Sequence, residues 1–114
     1  MAQVKISKEL TAASATSIVL GILRDGESYG YAIVQRVREL SHNEVEWTDG
    51  MLYPILHRLE AEGLISARWG ESETGRKRKY YRLEPAAAEV IEDERRQWTT
   101  IHRILTGLWA PKMS

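Results

Sequence analysis

The order of its hydrophobic patterns is the feature that most restricts how this chain can fold. Apolar residues recur at helical spacing in three segments, over about residues 8–24, 29–40 and 48–62. Apolar and polar residues then alternate on both sides of a polar turn that ends at Gly75, which is typical of a hairpin. A last helical segment begins at Pro85 and runs to about residue 108. The sequence therefore predicts three helices, a hairpin and a long final helix, in that order.

Three helices followed by a hairpin form the winged-helix arrangement, a relative of the helix-turn-helix. We therefore predict a mainly α fold with a two-stranded β wing and a long C-terminal dimerisation helix. Residues 1–84 are assigned to the winged helix-turn-helix, residues 85–110 to the dimerisation helix and residues 111–114 to a tail. Pro54 removes a backbone hydrogen bond, so the third helix is expected either to start late or to bend near it.

Composition and motifs exclude several classes of protein. The 114 residues are enough for one domain, and the absence of cysteine excludes disulfides and thiolate metal sites and favours a cytoplasmic protein. No apolar segment is long enough to span a bilayer, so no membrane partner is expected. The histidines are scattered, and no nucleophile–base pair or phosphate loop is present. We predict no catalytic residue, metal or cofactor.

Charge is segregated along a chain whose formal net charge is zero. Residues 76–82 contain no acid, whereas residues 84–94 contain no base. Cations held on a rigid hairpin are suited to phosphate binding, so the predicted partner is double-stranded DNA. The alternative is a charged loop that only discourages edge-to-edge strand pairing. The wing residues predicted to bind DNA are Arg76, Lys77, Arg78 and Lys79.

The third helix has a polar and aromatic face opposite its apolar stripe. The stripe is expected to face the core and consists of Leu52, Ile55, Leu56 and Leu59. The other face carries groups that can contact base edges, thymine methyl groups and phosphates, although an ordinary solvated face is the alternative. With Tyr31 of the second helix, the residues predicted here to contact DNA are Gly50, Met51, Tyr53, Pro54, His57 and Arg58.

The final helix carries an apolar stripe at alternating spacings of three and four, as at a two-helix seam. A helix this long cannot bury the stripe against so small a domain, so we predict a homodimer formed through it. A twofold dimer would match the two half-sites of a palindromic operator. Packing of the stripe on the first helix of the same chain is the alternative. The predicted dimer residues are Ile91, Trp98, Ile101, Leu105 and Leu108.

Trp98 is too large to pack closely against its symmetry mate, whereas the first half of helix one has small side chains. This contrast predicts an aromatic-walled cavity for a planar aromatic molecule near Ala13, Thr16 and Ser17. The alternative is that Trp98 only anchors the core.

Four motifs carry a resemblance to a known family. The chain reads YGY at residues 29–31, LYPILHRLE at 52–60, GLI at 63–65 and RKYYRL at 78–83. In this order and spacing they closely resemble the PadR family of bacterial transcriptional regulators. The family pattern usually has Thr and Gly where this chain has Glu84 and Ala87, which puts the angle of the final helix in question.

The resemblance implies a dimeric repressor that binds inverted repeats. The short length is similar to the subfamily with a single C-terminal helix, in which some members, such as a lactococcal multidrug regulator, bind flat drugs between paired tryptophans. Trp98 matches that tryptophan, and Val90, Glu94 and His102 lie where further ligand contacts are expected. The predicted function is a DNA-binding repressor released by a small aromatic ligand at the dimer interface. The alternative is a winged helix that binds another protein instead of DNA.

Overall fold

The computed structural model describes residues 5–112, so part of the predicted tail and residues 1–4 lie outside the described residues. The described part contains four helices and three strands. In chain order they are α1 (Lys8–Arg24), β1 (Ser28–Tyr29), α2 (Gly30–Leu40), α3 (Asp49–Ala61), β2 (Ile65–Glu71), β3 (Lys77–Leu83) and α4 (Ala87–Trp109). The predicted mainly α fold with a β wing and a long last helix is confirmed.

The short strand β1 makes the sheet three-stranded, which the sequence did not predict. β3 lies in the centre of the antiparallel sheet, between β1 and β2. Ser28 is opposite Tyr81 in the register, so it belongs to the strand and does not cap the second helix. Tyr29 takes the N-cap position and makes no side-chain capping hydrogen bond. A strand of two residues is too short to show an alternating pattern.

Both ends of α3 are closed by hydrogen bonds. The Thr48 hydroxyl accepts from the backbone N–H of Met51 at 3.3 Å. At the other end Gly63 has a φ of +76°, and the N–H of Leu64 donates to the carbonyl of Leu59 at 3.0 Å, as in a Schellman motif. The helix begins at Asp49 and continues through Pro54, so of the two expected alternatives, a late start or a bend, the late start is wrong.

The core lies between the first three helices and the inner face of the sheet. Leu52, Leu56 and Leu59 are fully buried, as the stripe of α3 predicted. Ile65 and Tyr81 close the core from the sheet side. The apolar contacts fix α3 against α1, α2 and the wing, so the exposed faces of α3 and the wing have a defined relative position.

α4 follows the wing after a short turn. The N–H of Ala87 donates to the carbonyl of Glu84 at 2.9 Å, so Pro85 lies in a turn before the regular helix. Ala87 is fully buried, and Val90 and Ile91 pack against the core. The helix then passes α1, where the Ser17 hydroxyl donates to Glu94, and continues beyond the domain to Trp109. No helix within residues 5–112 has the length and apolar character required to cross a membrane.

Candidate nucleic-acid interface

A groove of about 500 Å³ lies between the start of α2, the exposed face of α3 and the wing. It brings together residues that the sequence predicted from three separate segments: Tyr31, Tyr53, Arg76, Lys77, Arg78 and Lys79. Three further residues, Tyr29, Gly30 and Trp69, line the same groove and were not predicted as part of the site. We call this surface the wing groove.

Arg78 and Tyr29 of the wing groove belong to a row of stacked groups that continues through Tyr80 to Arg68. The Arg78 guanidinium carbon lies 4.2 Å from the centre of the Tyr29 ring, which meets the Tyr80 ring edge-on at 5.6 Å. The guanidinium of Arg68 covers Tyr80 at 4.8 Å. Such contacts hold a guanidinium in one position while leaving it charged. Arg78 is therefore presented on a supported surface rather than on a mobile loop.

Arg68 has its charge compensated within the protein. Its Nε donates to Oε2 of Glu27 at 2.8 Å, and a second nitrogen donates to Oε1 of the same carboxylate. The hydrogen bond from Arg68 lowers the pKa of Glu27. This paired geometry occupies the donors with which arginine binds a phosphate, so Arg68 is less available for DNA than the other wing cations.

The wing cations differ in how they are held. Lys79 lies 4.0 Å from a carboxylate oxygen of Glu60 and 5.6 Å from the centre of the Tyr81 ring. Arg76 and Lys77 are exposed and make no ion pair with any residue of the described part of the chain. The hairpin turn beside them is closed by Gly75, whose φ of +81° is left-handed. Arg76 and Lys77 are thus the cations most open to a polyanion.

The exposed face of α3 carries Gly50, Tyr53, Pro54 and His57, as predicted. The rings of Tyr53 and His57 lie 6.5 Å apart, so they form one polar and aromatic patch beside the wing. Met51 is half-buried and faces another groove, beside Trp47.

Arg58 lies apart from the wing groove. One guanidinium nitrogen donates to the Thr16 hydroxyl at 2.6 Å, and another donates to Glu62 at 3.3 Å. These contacts hold Arg58 between α3 and α1. They also direct the Thr16 hydroxyl toward α3, away from the predicted ligand residues on α4.

A second, smaller pocket lies between α1 and α4. It has a volume of about 280 Å³ and is lined by Ser17, Ile91, Glu94, Arg95, Trp98 and Thr99. The Ser17 hydroxyl donates to a carboxylate oxygen of Glu94 at 2.8 Å. Of the predicted ligand residues, this pocket brings together Ser17, Glu94 and Trp98. Val90 packs on the core, whereas Ala13 and His102 are exposed and do not line it.

The second half of α4 exposes an apolar face. Ile101 is 46% exposed and Leu108 is 73% exposed, while Leu105 is half-buried. Ile104 and Trp109 extend this face beyond the predicted stripe, with exposures of 57% and 70%. Ile91, by contrast, packs against the core of its own chain.

Three core helices, a sheet-supported wing with exposed cations and an adjoining polar face on α3 define a winged-helix DNA-binding protein. The sequence model described as "Transcriptional regulator PadR-like family" matches residues 19–93. The chain belongs to this family. Members of the family are DNA-binding transcriptional regulators, so the protein acts in transcription and is not an enzyme.

Known relatives agree with this assignment. The transcriptional regulator Rv3488 of Mycobacterium tuberculosis is 33% identical over 88% of this chain and 90% of its own length. A transcriptional regulator from Clostridium thermocellum superimposes with a TM-score of 0.82 at 26% identity, covering 93% of this chain and 100% of that chain. A PadR-like transcriptional regulator from Bacillus cereus gives 0.80 at 25% identity, covering 92% and 100%.

Proposed function

We propose that this chain is a cytoplasmic, homodimeric repressor that binds a palindromic operator and is released by a planar aromatic ligand. The wing groove carries the proposal, because it joins exposed aromatic groups of α2 and α3 to the cations of residues 76–79. In this division, residues 1–84 read the DNA and residues 85–110 form the dimer. The short PadR subfamily, with one C-terminal helix, fits this arrangement.

The proposed contacts with DNA are of two kinds, to phosphates and to base edges. Exposed Arg76 and Lys77 neutralise phosphates, which provides affinity without sequence information. Tyr53 and His57 face the same side of α3 and carry hydrogen-bonding groups for base edges. The remaining proposed contacts are Tyr31, Gly50, Met51, Pro54, Arg58, Arg78 and Lys79.

The exposed face of α4 supports dimerisation. Its apolar side chains have no covering element in the described part of the chain, and burial of apolar area stabilises association. A second copy offers the same face, so a twofold axis lets Ile101, Leu105 and Leu108 pack on their equivalents. α4 has 23 residues. It is therefore about 35 Å long.

The pocket at Trp98 supports the ligand proposal. The pocket lies at the junction between the buried start of α4 and its exposed second half. A second copy packed on the exposed half would therefore cover the pocket. A half-buried indole suits a flat ligand, as in the lactococcal multidrug regulator, and the Glu94 carboxylate suits a positive charge on that ligand. A ligand changes the DNA affinity only if it binds one arrangement of the dimer more tightly than another.

A gel-shift assay with DNA from upstream of the protein's own coding region tests the DNA proposal. We expect a discrete complex that a competing duplex of scrambled sequence does not displace. We also expect lower transcription from that promoter in vitro. The variants are Tyr53→Ala on α3 and, as the control, Leu40→Ala at the end of α2, whose side chain is 55% exposed against 38% for Tyr53. Absence of both a complex and retention on heparin would favour the protein-binding alternative.

The ligand proposal is tested without DNA. Titration with a planar aromatic cation should quench tryptophan fluorescence in the wild type and leave Trp98→Ala largely unaffected. Equal quenching of the two proteins would remove the ligand from the proposal while leaving DNA binding intact.

A further inference from the structure

Trp69 stands out on the wing because its large side chain is 69% exposed. It belongs to β2 and is opposite Lys79 in the register, while the next pair on the same sheet face is Glu71 and Lys77. Toward the core, this face carries Ala67 and Ile65, which are covered by the helices. Trp69 therefore lies where the core-facing row of β2 passes beyond the helices into the wing groove.

The surroundings of Trp69 indicate what could cover it. The indole lines the wing groove with Tyr31 and Tyr53, and toward the tip of the hairpin it borders Lys77 and Glu71. Lysine ammonium groups around the indole disfavour an apolar protein surface, because such a surface would desolvate them. A polyanion with apolar surface between its charges fits both features, and the backbone of DNA alternates phosphates with deoxyribose rings.

We propose that Trp69 is a DNA-contacting residue whose indole packs on deoxyribose next to the phosphates that Lys77 and Lys79 neutralise. This inference rests on the proposed function, in which the wing holds a duplex, and adds an apolar contact to a site otherwise described by its charges. The contact is independent of base sequence, because every nucleotide offers the same sugar.

An apolar contact and an ionic contact respond differently to salt. A lysine that neutralises a phosphate releases counterions, so its loss lowers the slope of log K against log salt by about 0.9. Loss of an apolar contact lowers the affinity by the same factor at every salt concentration. Trp69→Ala should therefore weaken binding about tenfold without changing the slope, as expected from the apolar area lost.

The experiment measures fluorescence anisotropy of the full chain with two labelled duplexes over a series of salt concentrations. One duplex is DNA from upstream of the protein's coding region, and the other is a mixed-sequence duplex. The variants are Trp69→Ala, Trp69→Phe and Lys77→Ala, with Leu40→Ala as the control for loss of an exposed apolar side chain. We expect a parallel displacement for Trp69→Ala on both duplexes, partial recovery for Trp69→Phe and a changed slope for Lys77→Ala.

Several results would overturn the role of Trp69. If Trp69→Ala binds DNA as tightly as the wild type, and the wild-type affinity falls with salt as expected, the inference about Trp69 is refuted and the proposed function stands. A changed slope would mean that Trp69 acts through the lysines. A changed oligomeric state in light scattering, or a melting temperature lowered below that of Leu40→Ala, would assign the side chain to protein contact or folding. No binding by the wild type would overturn the proposed function as well.

Discussion

The hydroxyl oxygen of Tyr53 lies 2.6 Å from the position that a Cβ atom at Gly30 would occupy. Gly30 is the first residue of α2 and is buried, whereas Tyr53 belongs to the exposed face of α3. The absence of a side chain at Gly30 thus allows the tyrosine ring to lie against the start of the preceding helix. This contact sets where the hydroxyl stands in the wing groove.

Substitution of Gly30 should therefore affect DNA binding more than folding. In Gly30→Ala the new methyl group meets the Tyr53 hydroxyl and, at 3.1 Å, its Cζ, so the ring must move. We expect about tenfold weaker operator binding, the size of one lost base contact. The unfolding free energy should change by less than about 1 kcal/mol, because alanine also lowers the entropy of the unfolded chain. Gel shift and urea denaturation measure the two effects.

A double-mutant cycle tests whether the effect passes through Tyr53. In a Tyr53→Ala background the methyl group at residue 30 has no ring to displace, so Gly30→Ala should cause no further loss. Losses of affinity that simply add would show that Gly30 acts by another route.

The exposed wing cations should determine the salt dependence of binding. Arg76→Ala and Lys77→Ala should each lower the slope of log K against log salt by about 0.9. Lys79→Ala should have a smaller effect, because Glu60 already lies 4.0 Å from its ammonium group. Lys8→Ala, at the start of α1, is the control and should leave the slope unchanged. Slopes unaffected by all wing substitutions would refute the phosphate-binding role.

A charge on the apolar face of α4 should separate the proposed dimer without unfolding the domain. Ile101 is partly exposed in the single chain, so Ile101→Lys should change the unfolding free energy of that chain by no more than about 0.5 kcal/mol. In the dimer the lysine would be buried without a partner, so light scattering should give the mass of one chain. Thr100→Lys, on the exposed neighbouring position, should retain the dimer. A dimeric Ile101→Lys protein would contradict this interface.

Tyr81 should make the fold sensitive to alkaline pH. Its hydroxyl is buried without a hydrogen-bond partner in the described part of the chain, and burial raises its pKa. The unfolded chain loses this proton near pH 10, whereas the folded chain keeps it to higher pH. The contribution of neutral Tyr81 to the unfolding free energy is therefore fully present below about pH 10. It is lost as the pH rises through the pKa of Tyr81 in the folded chain.

Tyr81→Phe should reduce that alkaline loss. It should also raise the unfolding free energy at neutral pH by about 1 kcal/mol, because an unpaired buried hydroxyl is removed. Urea denaturation at neutral and alkaline pH measures both effects, with Tyr31→Phe as the exposed control. Equal alkaline sensitivity of wild type and Tyr81→Phe would show that another group is responsible.

The features that sequence predicted are those with a local signature. The stripe of α3 and the alternation of the wing depend on spacing within one segment, so Leu52, Leu56 and Tyr81 fall where the pattern puts them. The cations at residues 76–79 were visible as an uninterrupted run in the sequence.

The features that sequence missed depend on contacts between distant segments. β1 exists only because β3 pairs with it, and the hydrogen bond of Arg58 to Thr16 joins residues far apart in the chain. The exposure of Trp69 was hidden by a regular alternation, since periodicity gives the face of a strand but not where the helices covering that face end. That an exposed Trp lies beside Lys77 in the sheet was therefore visible only in the folded chain.

The central place of β3 in the sheet has a consequence for how any signal reaches DNA. β3 is hydrogen-bonded on one side to β2 and on the other to β1, which leads directly into α2. The base of the hairpin is therefore joined, at Tyr80 and Tyr81, to the strand that leads into α2. In the proposed dimer, an effector that alters DNA affinity would therefore act by changing the distance between the two DNA-binding domains rather than the structure of either.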